Sequence, residues 1–187
     1  MEKRVRNFVI FFTLLGIIIF WSVLLSFKTP QELVEIIGLR NGYVLSFLFG
    51  AFSAAATLTT VSYYPAIITL AAGGLNPFLL GLIAGIGMTI GNSLYFFLGG
   101  RGRAVLSGRF HKQAERMLKW IQCHPSWAVQ VLIFLYVGFT PFPNNLLTAA
   151  GGVMEYPFRK VLPPLLLGNI VLTASLAYLT GLGLRLF

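Results

Sequence analysis

The chain has 187 residues, 57% of them hydrophobic and only 10% charged, which is less than half the charged share of a soluble domain. No charged side chain occurs between Arg40 and Arg101, between Lys119 and Glu155, or between Lys160 and Arg185, and uncharged runs longer than about 18 residues are candidate membrane spans. No stretch is left for a separate soluble domain, so residues 1–187 read as a single membrane domain. The net charge of +9 sits in short loops beside apolar runs, which makes it a topology signal and argues against nucleic acid as a partner. Cys123 stands alone, so no internal disulfide can form, and two histidines with one cysteine supply no metal-ligand cluster. There is no Asp, and Glu2, Glu32, Glu35 and Glu115 fall outside the apolar runs. Carboxylate-pair catalysis therefore has almost no material, and neither an enzyme nor a cofactor is expected.

In chain order, Phe8 to Phe27 is an uncharged run of 20 residues behind a basic start, long enough to cross about 30 Å of hydrocarbon. It predicts a retained first transmembrane helix with a cytoplasmic N-terminus in the cell membrane. Lys28 to Arg40 follows as a short outer segment, where Pro30 and Glu32 suggest a helical turn.

Repeat 1 spans 43–98. Tyr43 to Ala72 is 30 residues long, too long for one upright span and too short for two, which need roughly 40. Its centre carries Thr57, Thr59, Thr60, Ser62, Tyr63, Tyr64 and Pro65. A polar, proline-broken midpoint fits a re-entrant helix hairpin, and one long tilted helix kinked at Pro65 is the alternative. Asn76 to Leu98 then reads as a full span ended by Gly99-Gly100. Its Gly81, Gly85 and Gly91 lie on or near one face, open to a close helix neighbour or a homodimer partner.

Between the repeats, residues 101–123 carry Arg101, Arg103, Arg109, Lys112, Arg116 and Lys119, with Phe110, Ala114, Met117 and Ile121 on the opposite helical face. This predicts an amphipathic helix on the anionic lipid surface of the cytoplasmic side. Repeat 2, 127–184, begins with the 27 residues Trp127 to Val153, centred on Thr140-Pro141-Phe142-Pro143-Asn144-Asn145. Such a backbone persists at membrane depth only when buried in protein or facing a wet cavity. Val161 to Leu184 makes the last span.

The two units share wording. Pro65 and Pro143 each precede Ala-Ala-Gly-Gly by six residues (Ala71 to Gly74, Ala149 to Gly152), then Pro77-Phe78 or Pro157-Phe158, then Gly91-Asn92 or Gly168-Asn169. Such a repeat means that one structural unit is used twice. With eleven of the fourteen Lys and Arg placed inside, hairpin plus span crosses once, so the second copy is inverted relative to the first. The expected fold is an all-α integral membrane protein: an inverted repeat of re-entrant helix hairpin plus transmembrane helix, preceded by one N-terminal transmembrane helix.

Two units of proline-broken hairpin, Ala-Ala-Gly-Gly, Pro-Phe and a Gly-containing span resemble the DedA superfamily, also called the VTT or SNARE-associated family. The likeness runs from about Phe52 to Gly183, strongest over Pro65 to Gly100 and Thr140 to Gly152. The resemblance implies lipid handling: translocation of polyprenyl-phosphate or phospholipid headgroups as a flippase or scramblase, with membrane lipids as partners. Family members often carry an acid in the first hairpin and an arginine beside the second pair of prolines. This chain has neither, which argues against proton coupling through a buried acid and against phosphate capture by a buried arginine.

On the residues themselves, the expected substrate path is a midplane cavity lined by Thr60, Ser62, Tyr63, Tyr64 and Pro65 from one tip and by Thr140, Pro141, Pro143, Asn144 and Asn145 from the other. Asn92 and Asn169 complete its lining, although packing is the commoner role for such asparagines. Backbone N–H groups of half-helices starting after Pro65 and Pro143 could hold a phosphate without a cation. A channel or carrier for a small solute or ion is the alternative function.

Overall fold

The computed structural model describes residues 29–53, 57–102, 123–140 and 144–186, with positions 16, 116, 119 and 121. The expected first helix, 8–27, and nearly all of the amphipathic segment 101–123 lie outside the described residues. Regular structure among the described residues is helical throughout: α1 (Pro30–Ile37), α2 (Leu39–Ser53), α3 (Thr57–Ala72), α4 (Pro77–Gly102), α5 (Ser126–Phe139), α6 (Asn144–Val153) and α7 (Phe158–Leu186).

The surface turn suggested by Pro30 and Glu32 is α1. Thr29 accepts from the Glu32 backbone at 3.3 Å while the Glu32 carboxylate accepts from the Thr29 backbone at 3.3 Å, a reciprocal cap completed by Pro30 in the first turn. Gly38, with φ +83, ends the helix, and the chain turns by 100° into α2. Because the cap is exposed, Thr29→Ala is expected to cost about 1 kcal/mol or less, read as faster amide exchange at Val34 to Ile37 with the rest of the bundle unchanged.

Among the described residues, two helices are long and apolar enough to cross a membrane, Pro77–Gly102 and Phe158–Gly183, and a third if the bent pair α1–α2 is one span. They run antiparallel, with Gly81 opposite Ala174 and Gly85 opposite Ile170. A Cβ on Gly81 would lie 2.5 Å from that of Ala174, so the glycine face expected to admit a close neighbour serves the α4–α7 contact. Gly99 and Gly100 do not end α4, which runs on to Gly102; Gly99 instead lies against the Ala149 carbonyl of α6.

The segment 43–72 is two helices, not one kinked helix. α2 and α3 return on each other, since Gly42 at the start of α2 lies beside Leu70 and Leu75 at the end of α3. Pro65 sits inside α3. That corrects the expectation of a half-helix starting after Pro65: no helix N-terminus exists there, so its N–H groups are committed to the helix ladder. In the second unit α6 does begin at Asn144, directly after Pro143.

Of the two long helices, α3 packs mainly on α7 and α6 on α4, whereas α2 packs on α4 and α5 on α7; α3 also packs on α2. Gly152 of α6 meets the Phe96 carbonyl and Gly100 of α4. The two Ala-Ala-Gly-Gly runs do not share one job. In the first unit Gly73 packs on Val34 and Gly74, at φ +96, terminates α3. In the second the helix continues through Gly151 and Gly152 and terminates with Glu155 at φ 55.

Apolar cores sit at both ends of the bundle, one around Tyr63, Ile67, Leu75 and Leu80, the other around Phe96, Val137, Tyr156 and Leu165. Outward, Phe52, Leu94, Leu135 and Leu179 are exposed. Apolar side chains on this scale suit hydrocarbon better than water.

Candidate functional site

Between the two apolar cores the four helices α3, α4, α6 and α7 contribute an uncharged polar chain. Tyr63 of α3 and Thr173 of α7 share a hydroxyl–hydroxyl hydrogen bond at 2.5 Å. Thr173 Oγ1 also approaches the Asn169 carbonyl one turn earlier, at 2.9 Å. Asn169 is the hub: its Oδ1 accepts from Asn144 Nδ2 of α6 at 3.1 Å, and its Nδ2 donates to Thr89 Oγ1 of α4 at 3.0 Å. Thr89 donates onward to the Gly85 carbonyl at 2.8 Å. The chain thus links α3 and α6 to α4 and α7.

Sequence spacing explains why these groups converge. Asn169 and Thr173 are four apart on α7, and Thr89 and Asn92 three apart on α4, so each pair shares a helix face. The small residues Gly81, Gly85 and Ala174 bring the α4 and α7 backbones close enough for side chains as short as Asn and Thr to meet. At the start of α6, Thr148 Oγ1 lies 3.1 and 3.0 Å from the carbonyls of Asn144 and Asn145. These carbonyls are thereby satisfied within protein.

Of the expected site residues, Tyr63, Asn92, Asn144, Asn145 and Asn169 are all buried. Tyr63, Asn144 and Asn169 join one chain, and Asn145 Oδ1 accepts from the Leu146 backbone at 3.0 Å. They are packed within protein: Tyr63, Asn144 and Asn169 meet partners on other helices, Asn145 bonds within α6, and Asn92 Nδ2 has no partner among the described residues. Tyr64 is half-buried and meets Tyr63 edge-on, ring centroids 5.6 Å apart. Ser62 borders an apolar groove between α2 and α3 with Leu48 and Phe52. Thr140 caps α5 by donating to the Tyr136 carbonyl at 2.6 Å. Pro65 lies within α3, away from any break. Pro141, Pro143 and the side chain of Thr60 lie outside the described residues.

Thr89, Thr148 and Thr173 belong to the site but were not singled out from sequence. Their signal was present: they stand three residues before Asn92, four after Asn144 and four after Asn169, each on the same helix face as an intramembrane asparagine.

Beside this chain, between α5, α6 and α7, lies an apolar cavity of about 380 Å³ lined by Val129, Ile133, Leu147, Met154, Tyr156 and Val161 among others. Its chemistry suits hydrocarbon. The polar chain, by contrast, can only exchange neutral hydrogen bonds, having no charged member.

Among the described residues, fold and site define an all-helical arrangement with two or three helices long and apolar enough to cross a membrane and a neutral polar chain buried between helices. No protein-family model, curated protein or solved structure matches it.

Proposed function

We propose that this chain is a multi-pass cell-membrane protein that lets a lipid or lipid-phosphate headgroup cross the bilayer, uncoupled from a proton gradient. The observation that carries the reading is the neutral polar chain joining both hairpins to both spans in an otherwise apolar bundle. A headgroup crossing hydrocarbon needs substitute hydrogen bonds at every depth. Intramembrane hydrogen bonds between side chains average only about 0.6 kcal/mol, so Asn and Thr groups can release one another and take a headgroup in exchange.

The architecture we infer is an inverted repeat of re-entrant hairpin plus span. The arms of 15, 16, 14 and 10 residues are about 15–24 Å long at 1.5 Å per residue, short of about 30 Å of hydrocarbon. Lys160 Nζ donates to Ser126 Oγ at 2.8 Å, and the Asn76 backbone donates to Tyr43 Oη at 3.0 Å, so each first arm begins beside the start of its own span. Because the spans are antiparallel, this favours hairpins that enter from opposite faces. The end bearing Arg101, Arg159 and Lys160 is then cytoplasmic, as is the N-terminus, with the basic segment 101–123 on anionic lipid. The buried polar chain represents a closed state, and separation of a hairpin from α7 opens the path.

Tyr63→Phe removes the tie of α3 to Thr173 while Thr173 keeps the Asn169 carbonyl. It is expected to cost under about 1 kcal/mol in micelle unfolding and to speed lipid movement roughly threefold by loosening the closed state. The function is tested with purified protein in vesicles carrying labelled phospholipid or polyprenyl-phosphate, with and without a pH gradient. Equilibration of either lipid without the gradient supports the reading. Movement of neither lipid under both conditions overturns it and favours a carrier or channel for a small solute or ion.

A further inference from the structure

Asn92 Nδ2 and Asn144 Oδ1 are buried without a hydrogen-bond partner among the described residues. Asn92 is 2% and Asn144 5% exposed. In a folded protein each such atom costs about 1–3 kcal/mol, and buried polar groups are otherwise partnered by protein or by an ordered hydroxyl such as water.

Helix spacing places the two residues at one interface. Thr89, Asn92 and Phe96 follow one another along one side of α4. Thr89 is held through Asn169 to Asn144, and Phe96 lies against Gly151 of α6. Asn92 is therefore placed between those two levels of the α4–α6 contact, next to the turn that carries Asn144. The amide orientations follow from the chain. Thr89 commits its proton to the Gly85 carbonyl, so it can only accept from Asn169. Asn169 then presents Oδ1 to Asn144, which must answer with Nδ2 and leaves its own oxygen unpaired. In the repeat Asn92 stands where Asn169 stands, yet Asn169 uses both ends of its amide and Asn92 has a donor left over.

We propose that Asn92 Nδ2 and Asn144 Oδ1 are the donor and acceptor of a site for one hydroxyl group. That group accepts from Asn92 and donates to Asn144. A phosphate ester oxygen can only accept, an ammonium can only donate and a trimethylammonium does neither, so a hydroxyl alone among these satisfies both atoms. Its source is water or a headgroup hydroxyl, as on glycerol, inositol or a sugar; only the second source rests on the lipid-translocation reading.

The test is nuclear magnetic resonance of the full chain, ¹⁵N-labelled at asparagine, in nanodiscs of phosphatidylcholine or of phosphatidylglycerol. The Asn92 amide signal is assigned by its loss in Asn92→Leu. Cross-relaxation of the Asn92 side-chain protons with water in both lipids is the expected result for a water site. Cross-relaxation with glycerol headgroup protons, present only in phosphatidylglycerol, is the expected result for a lipid hydroxyl. Neither contact in either lipid, or a direct bond from Asn92 Nδ2 to Asn144 or another protein carbonyl, overturns the proposal. The readout needs no lipid movement, so failure of the translocation reading in vesicles leaves it separately decidable.

Discussion

Gly152→Ala is expected to unseat α6 from α4 and lower stability by about 3 kcal/mol. The added Cβ would fall on the Phe96 carbonyl oxygen and close to the Gly100 nitrogen. Both belong to the α4 backbone, which cannot swing aside as a flexible side chain could. α6 also carries Asn144, so its displacement breaks the polar chain at the same time. Gly181→Ala is the matched control, because nothing lies within 4 Å of a Cβ there. In the interior of α7 that change is expected to be neutral or to stabilise by about 0.5–1 kcal/mol through backbone entropy. Reversible unfolding in mixed micelles reads both, and equal effects would contradict the α4–α6 packing.

Asn169→Leu has the second largest expected effect. Leucine is close in size, so little cavity forms, but Asn144 loses the acceptor for its buried amide Nδ2. Thr89 keeps the Gly85 carbonyl, which limits the damage on α4. The expected cost is about 2–3 kcal/mol, with lipid movement in vesicles slowed at least tenfold because the path loses its hub. A folded variant that moves lipid at the parent rate would remove the polar chain from the mechanism. Thr180→Val is a useful comparison, since Thr180 donates only to its own helix at Leu176, 2.9 Å away, and should leave both readouts nearly unchanged.

Much of the architecture was legible in the sequence because membrane folds are governed by lengths. The spans at 76–98 and 161–184 were found within a few residues of α4 and α7, and the 30- and 27-residue runs did divide into two helices each. Local chemistry misled at two places. By sequence Pro65 marks the break, yet a proline is tolerated inside a membrane helix when neighbours meet the freed carbonyl, and Pro65 lies inside α3. The Ala-Ala-Gly-Gly runs were read as equivalent, whereas one ends a helix and the other packs inside one. The difference lies in the Phe96 carbonyl opposite Gly152, a partner 56 residues distant in sequence that no local pattern reports.

The site was half legible for a similar reason. Asparagines in apolar runs announce themselves, so Asn92, Asn144, Asn145 and Asn169 were singled out. Threonines do not, because a lone Thr in a membrane helix often bonds back to its own turn. Thr89 and Thr173 do so as well as serving the chain. Which of them also reaches across is decided by the glycine-mediated approach of α4 to α7, a tertiary fact.

The proposed function depends most on two hairpins that open toward opposite faces, and the accessibility of single cysteines tests that arrangement directly. Cys123 is exposed beside the start of α5, and Glu35 is exposed on α1 at the other end. In sealed vesicles of uniform orientation, a membrane-impermeant maleimide should label native Cys123 from the cytoplasmic face alone. It should label Glu35→Cys, in a Cys123→Ser background, from the opposite face alone. Labelling of both positions from the same face would contradict the inverted arrangement and with it the path proposed for the headgroup.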